Sequence, residues 1–365
     1  MGTLTEKRNY GIDLLRILSM FMVVLLHVLG AGGILSTAKP LSLNYEIAWF
    51  LETMAYCAVN CYALISGYVG VTSKHKYSNI AFLWLQVALY TVGIAAIYAI
   101  VSPDVWINHV IHGAFPVTHQ FYWYFTAYFG LFFFLPVLNA GINALSERQI
   151  RTVVITLLAA FTIIPIFGKA DVFRIGNGYE ILWLMILYIV GAAIRKWGWF
   201  SKTKAWVAGI AYLGSVVLSW GLMYFCQARV WPWLSDHIYA DCLINYTSPT
   251  IVAAAVALLV LFMNAKIRGK FAVGCIRFLA PLAFSVYIIH MNTHVYRTFI
   301  GERFAFFANH PWWLMILEIF AAAIVIFIVC AAIDLVRHYL FKGLKIKELL
   351  NRIETKIRTR KNVEE

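Results

Sequence analysis

Two polar side chains stand out in the first apolar stretch of the chain: Arg16, and His27 eleven positions later. At about 100° per residue that separation is three helical turns plus roughly 20°, so both lie on one helix face, about 16 Å apart along the axis. They are too far apart to touch, but both can face one polar cavity. Arginine presents a rigid fork suited to phosphate oxygens. A histidine titrating near neutrality can take a proton from a hydroxyl and return it. The bland alternative makes Arg16 a snorkelling interfacial residue and His27 a hydrogen-bonded helix contact. Asp13, three residues before Arg16, is its expected structural ion-pair partner.

A second polar stripe follows Pro281, where Ser285, Tyr287, His290, Asn292, His294 and Arg297 interrupt an apolar run. His290, His294 and Arg297 fall at i, i+4 and i+7, on one face. Two histidines at that spacing can hold a metal, but no intramembrane acid cluster accompanies them, so the reading is a polar stripe facing the interior and no metal site. Glu52, Asn60 and the small-residue turn Ser66-Gly67-Tyr68 mark another run. His109, His112, His119 and Gln120 lead into Phe121, Tyr122, Trp123 and Tyr124, which read as an interfacial belt or as a sugar-stacking surface. Glu180 and Glu318 are further acids in apolar surroundings, the latter with no obvious local partner.

The elements that must position these groups follow from composition. The chain has 365 residues, 62% hydrophobic and 13% charged, whereas a soluble protein carries about 25% charged residues. The bilayer is therefore the expected solvent. Nucleic-acid binding, cytosolic metabolism and secreted disulfide scaffolds are poor fits. About ten runs approach the roughly 20 residues needed to cross hydrocarbon: Gly11 to Gly30, Ile47 to Val71, Ile80 to Val101, Tyr122 to Asn139, Arg151 to Phe167, Tyr179 to Ile194, Ala205 to Phe225, Leu243 to Met263, Phe278 to Ile300 and Trp312 to Leu340. The expected fold is all-α, a polytopic membrane bundle of about ten helices spanning residues 1–340 as one domain.

The net charge of +13 is distributed unevenly. With the N-terminus inside, the inward loops carry Lys74, Lys76, Arg148, Arg151, Arg195, Lys196, Lys202, Lys204, Lys266, Arg268, Lys270 and Arg277, with Lys7 and Arg8 before the first run. The outward loops hold Lys39, Lys169, Arg174, Arg229 and Arg303. The positive-inside bias then puts both termini in the cytoplasm. Residues 341–365 combine Ile346, Leu349, Leu350, Ile353 and Ile357 at helical spacing with many Lys and Arg, which suits either a basic helix lying on the inner leaflet or a solvated tail. The first run resembles a signal peptide in its flanks, but Asp13, Arg16 and His27 argue against that. Cys226 and Cys242 flank an outward loop and could pair in an oxidising exterior.

Four segments together resemble the membrane-bound acyltransferase type 3 family, which includes bacterial O-acetyltransferases of surface polysaccharides. They are Gly11-Ile12-Asp13-Leu14-Leu15-Arg16 with His27 after ten intervening residues, Ala58 to Tyr68 ending in Ser66-Gly67-Tyr68, Tyr122-Trp123-Tyr124, and Ser285-Val286-Tyr287-Ile288-Ile289-His290. The resemblance implies a ten-helix core that moves an acyl group, usually acetyl, from cytoplasmic acyl-CoA to a carbohydrate hydroxyl. It departs from the family in two places. Lys74-His75-Lys76 stands where many relatives have paired arginines, and Gln120-Phe121 where many have a histidine.

The chemistry then expected has His27 as general base and Arg16, Lys74 and Lys76 on the donor phosphates. Tyr287, His290 or Asn60 would position groups or stabilise the oxyanion. Asn60, Ser66, Trp123, Tyr124 and Glu52 are the expected substrate-binding positions. No tightly bound cofactor is expected. The expected partners are acyl-CoA as donor substrate, a carbohydrate or lipid-linked glycan acceptor and the bilayer of the bacterial cytoplasmic membrane, with no nucleic acid. Acyl carriage on His27 or Ser66 is an alternative route. A multispan transporter or flippase of envelope precursors is the rival function, although no inverted repeat is visible, and a non-catalytic envelope-assembly partner is a third reading.

Overall fold

The computed structural model describes residues 8–101, 107–167, 171–230, 232, 238 and 243–364. Lys7, Lys169 and Cys242, and with Cys242 the considered pairing to Cys226, lie outside them. Helices make up 79% of the structure, without strands among the described residues, so the all-α expectation holds. The principal helices are α1 (Tyr10–Leu26), α2 (Leu43–Tyr56), α3 (Ala58–Gly70), α4 (Tyr77–Val101), α5 (Trp123–Ala144), α6 (Glu147–Leu158), α7 (Ile181–Trp197), α8 (Ala205–Gln227), α9 (Pro249–Met263), α10 (Lys270–Leu279), α11 (Ala283–His290), α12 (Trp312–Gly343) and α13 (Ile346–Glu364).

Each of the ten expected runs coincides with helix, but they differ in kind. Seven helical stretches are long and apolar enough to cross a bilayer: Tyr10–Thr37, Leu43–Gly70, Tyr77–Val101, Trp123–Ala144, Glu147–Phe167, Ala205–Gln227 and Trp312–Gly343. The pair α10 and α11, bent by 40° around Pro281, would make an eighth. The remaining two runs correspond to α7, with 17 residues, and α9, with 15. At about 1.5 Å per residue these reach less than the roughly 30 Å of a hydrocarbon core. Both are buried along much of their length, so their ends meet neighbouring helices rather than lipid. The second run is broken at Cys57, where α2 gives way to α3.

Helix α1 is the centre of the bundle and touches α2, α3, α9, α10, α11 and α12. Its start is fixed by Asn9, whose side-chain oxygen accepts from the amides of Gly11 and Ile12 while its amide donates to the Met263 carbonyl at 3.0 Å. Only glycine fits at position 11, because a Cβ there would lie 2.0 Å from the Phe262 carbonyl oxygen. A closer approach joins α3 to α7. A Cβ on Gly67 would sit 2.0 Å from the Tyr188 carbonyl oxygen, and one on Gly191 2.0 Å from that of Leu64. Lipid chains are as apolar as leucine, so helices in a bilayer associate through such backbone proximity and not through apolar burial.

Buried charge is paired. Asp13 accepts from Arg8 at 2.5 Å and from Arg16 at 3.3 Å, which places the expected Asp13–Arg16 pair in the structure. Asp334 and Arg337 on α12 form a fully enclosed pair, and the Tyr90 hydroxyl of α4 donates to Asp334 at 2.6 Å. Glu318, for which the sequence offered no partner, meets His310 at 2.8 Å across the loop before α12.

The tail is one helix, α13, and its polar side grips the start of α4. Glu354 accepts from the amides of Tyr77 and Ser78 at 3.1 and 3.0 Å, so it caps a helix from 276 or more residues away in sequence. Asn351 accepts from the Ser78 hydroxyl, and Arg358 donates to the His75 carbonyl. Leu349, Ile353 and Ile357 remain exposed.

Two outcomes test this packing. Gly67→Val or Gly191→Val should destabilise the detergent-solubilised protein by at least the ~1–3 kcal/mol typical of overpacking, read as a lowered Tm, whereas Gly209→Ala on α8, where nothing lies within 4 Å, should leave Tm unchanged. Glu354→Ala should speed hydrogen exchange in the first turn of α4 without changing exchange in α7.

Candidate functional site

His27 is the first residue of a π-helical turn, His27–Ala31, that continues α1. The wider turn departs from the 3.6-residue register, and such turns recur at functional sites. His290 is the last residue of α11. The fold brings the two rings together with His27 Nδ1 2.8 Å from His290 Nε2, while His290 Nδ1 lies 2.5 Å from the Val286 carbonyl oxygen. A carbonyl only accepts, so His290 carries its proton on Nδ1 and offers the Nε2 lone pair. His27 must then donate from Nδ1, which leaves its own Nε2 as an unprotonated base. One backbone carbonyl thus sets both tautomers. Tyr287 adds to this arrangement, its ring stacked on His27 with centroids 6.5 Å apart.

Neighbouring residues fix α11 in place. The Tyr122 hydroxyl donates to the Ile288 carbonyl at 2.7 Å and accepts from Asn292 at 3.3 Å. Gln86 of α4 donates to the Ser285 hydroxyl at 2.5 Å. Neither Tyr122 nor Gln86 was given a role from the sequence. The signal that could have found them is a hydrogen-bonding side chain beside the Trp123 motif and another inside an apolar span.

His27 lines a chamber with about 150 Å³ available to the centres of water molecules. Its walls include Glu52, Tyr56, Tyr62, Trp123, Tyr124, Tyr179, Tyr246 and Tyr287. Glu52 is only 7% exposed, and its Oε2 has no hydrogen-bond partner among the described residues. A second chamber, of about 230 Å³, is lined by Arg16, Ser66, Tyr128 and neighbouring apolar residues. Tyr62, Tyr124 and Phe284 line both. The face shared by Arg16 and His27 therefore opens onto two adjoining spaces, one for each residue.

The remaining candidates separate into three groups. Trp123, Tyr124, Glu52 and Tyr287 join His27, while Ser66 joins Arg16, its hydroxyl donating to the Tyr62 carbonyl at 2.9 Å. Asn60 reaches neither chamber wall. It is fully buried, donates to the Tyr246 carbonyl at 2.8 Å and accepts from the Trp183 indole at 3.1 Å, so it braces the aromatic wall from behind. Lys74 and Lys76 are exposed in the loop before α4 and do not line the Arg16 chamber. Between them, burial holds the His75 imidazole below its ordinary pKa, as does the nearby Arg358, against a smaller opposing pull from Glu354. The cations of this loop near neutral pH are therefore the two lysines.

The arrangement can deprotonate a hydroxyl at His27 Nε2, hold an aromatic-stacked ring beside it, and present a guanidinium to an anionic group one chamber away. No curated protein and no solved structure matches the chain. A family model described as an acyltransferase domain matches residues 9–335, which include every helix that contributes to the two chambers. This multi-pass membrane protein therefore belongs to the membrane acyltransferase type 3 family.

Proposed function

We propose that this membrane acyltransferase is an O-acyltransferase of the bacterial cytoplasmic membrane. In this reading it moves an acyl group, acetyl in the simplest case, from cytoplasmic acyl-CoA to a hydroxyl of a cell-surface carbohydrate or its lipid-linked precursor. The observation that carries this is the chain from the Val286 carbonyl through His290 to His27, which leaves a free imidazole nitrogen in an aromatic chamber beside the Arg16 chamber. The ten-span topology, with both termini cytoplasmic and α13 on the inner leaflet, belongs to the same reading. It puts Arg16, Lys74 and Lys76 on the donor side.

The donor phosphates meet Lys74 and Lys76 at the membrane surface and Arg16 deeper in, and the slender arm of the donor extends toward His27. His27 Nε2 takes the proton of the acceptor hydroxyl as that oxygen attacks the thioester carbonyl. The positive charge that develops on His27 is shared through its Nδ1–H with His290, whose other proton rests on the Val286 carbonyl. The oxyanion accepts from a hydroxyl of the chamber wall, Tyr287 being the one against His27. The C–S bond then breaks and the leaving thiolate takes the proton back from His27. Trp123 and Tyr124 stack on the acceptor ring, and Glu52 accepts hydrogen bonds from its other hydroxyls. Ser66 lies on the Arg16 side with its proton committed to the Tyr62 carbonyl, which supports direct transfer over an acyl-serine.

Two measurements test the roles. Ester content of envelope glycans, read by mass spectrometry at matched expression and folding, should fall about 10²–10⁴-fold in His27→Ala, and full ester content would remove the base. Kinetics in membranes should separate the two chambers. Arg16→Ala should raise KM for acetyl-CoA about tenfold or more, the scale of one lost charge-assisted contact, with kcat less affected. His290→Ala should lower kcat with that KM unchanged, and normal acetyl-CoA dependence in Arg16→Ala would leave this residue only its ion pair with Asp13.

A further inference from the structure

Three rings, each from a different helix, stand between the two chambers. Tyr62 comes from α3, Tyr124 from α5 and Phe284 from α11, and these alone line both spaces among the residues that surround them. All three are half-buried. Tyr62 is tethered, since its hydroxyl donates to the Arg16 carbonyl at 2.8 Å, and Tyr124 packs edge-on against it with centroids 6.1 Å apart. Phe284 has only ring contacts, to Phe125 and Tyr287, and follows the bend at Pro281.

We propose that Tyr62, Tyr124 and Phe284 form an aperture that selects the acyl group by cross-section, with Phe284 as its untethered member. The inference rests on the reading that acyl-CoA enters from the Arg16 side. On that path the acyl group leads and must pass the three rings before its carbonyl reaches His27. An unbranched two-carbon group passes wherever the following arm passes. A group branched next to the carbonyl is wider than the arm and meets all three rings at once, so the barrier depends on width more than on length. The transfer itself is unchanged: acyl-S-CoA and ROH give acyl-OR and CoA-SH, the hydroxyl proton ending on the thiol. The rings touch the group in passage and take no proton.

The test compares acetyl-CoA with isobutyryl-CoA as donors to wild-type membranes, with transfer read as ester formed on the endogenous acceptor. Wild type should favour acetyl. Phe284→Ala should raise the isobutyryl-to-acetyl ratio about tenfold or more, within the range that one or a few methylene-sized spaces confer. Phe284→Leu should raise it less. Tyr62→Phe, which keeps the ring and loses the tether, should leave the ratio near that of wild type. A gained donor cannot arise from poor folding, so the ratio reports on the aperture even where total activity falls. Unchanged ratios in both Phe284 variants, with acetyl transfer retained, would overturn the proposal. No transfer from acetyl-CoA in wild type would instead overturn the donor reading on which it rests.

Discussion

The 2.8 Å contact between His27 and His290 joins residues 263 positions apart, and the site depends on it. Each histidine alone would be a polar group at membrane depth, where an unpaired donor or acceptor costs several kcal/mol. Paired, and anchored on the Val286 carbonyl, they satisfy one another and leave a single free nitrogen in the chamber. The bond also imposes a strict positional demand, because a hydrogen bond weakens steeply when its geometry drifts. Helices α1 and α11 therefore have to be held in fixed register, and much of the remaining packing does this.

Backbone proximity supplies the rigidity. Asn9 and Gly11 pin α1 to the end of α9, and the reciprocal glycine contact of α3 and α7 locks together the two helices behind the aromatic wall. Tyr122 and Gln86 hold α11 from either side. The other buried charges, Asp13 with its arginines and Asp334 with Arg337 and Tyr90, are neutralised within the fold. The Glu52 oxygen lacking a partner is different, because it belongs to a carboxyl group in the chamber wall. A group left unsatisfied there is one for which a ligand can supply the missing hydrogen bonds.

The two chambers divide the chemistry by polarity. The cation is on one side of the three rings and the base on the other, so an anionic donor and a hydroxyl acceptor need not compete for the same space. The tail helix adds to the cationic end. Glu354 and Arg358 hold the start of α4 and the adjoining loop, and so fix where Lys74 and Lys76 are displayed although neither lysine lies in a chamber.

Composition and periodicity determined the solvent, the all-helical class and the identity of most chamber residues, because a polar side chain in an apolar run is conspicuous whatever its partners. The eleven-residue spacing of Arg16 and His27 correctly put them on one face, since helix geometry is local. Local spacing could not reveal that His290 meets His27, that Asn60 braces the wall while Ser66 falls on the Arg16 side, or that Glu318 pairs with His310. Nor could it separate helices long enough to cross a bilayer from α7 and α9, which are short because protein surrounds them. These outcomes depend on contacts between segments hundreds of residues apart, and only the packed bundle decides which side chains meet and which carbonyl fixes the proton on His27.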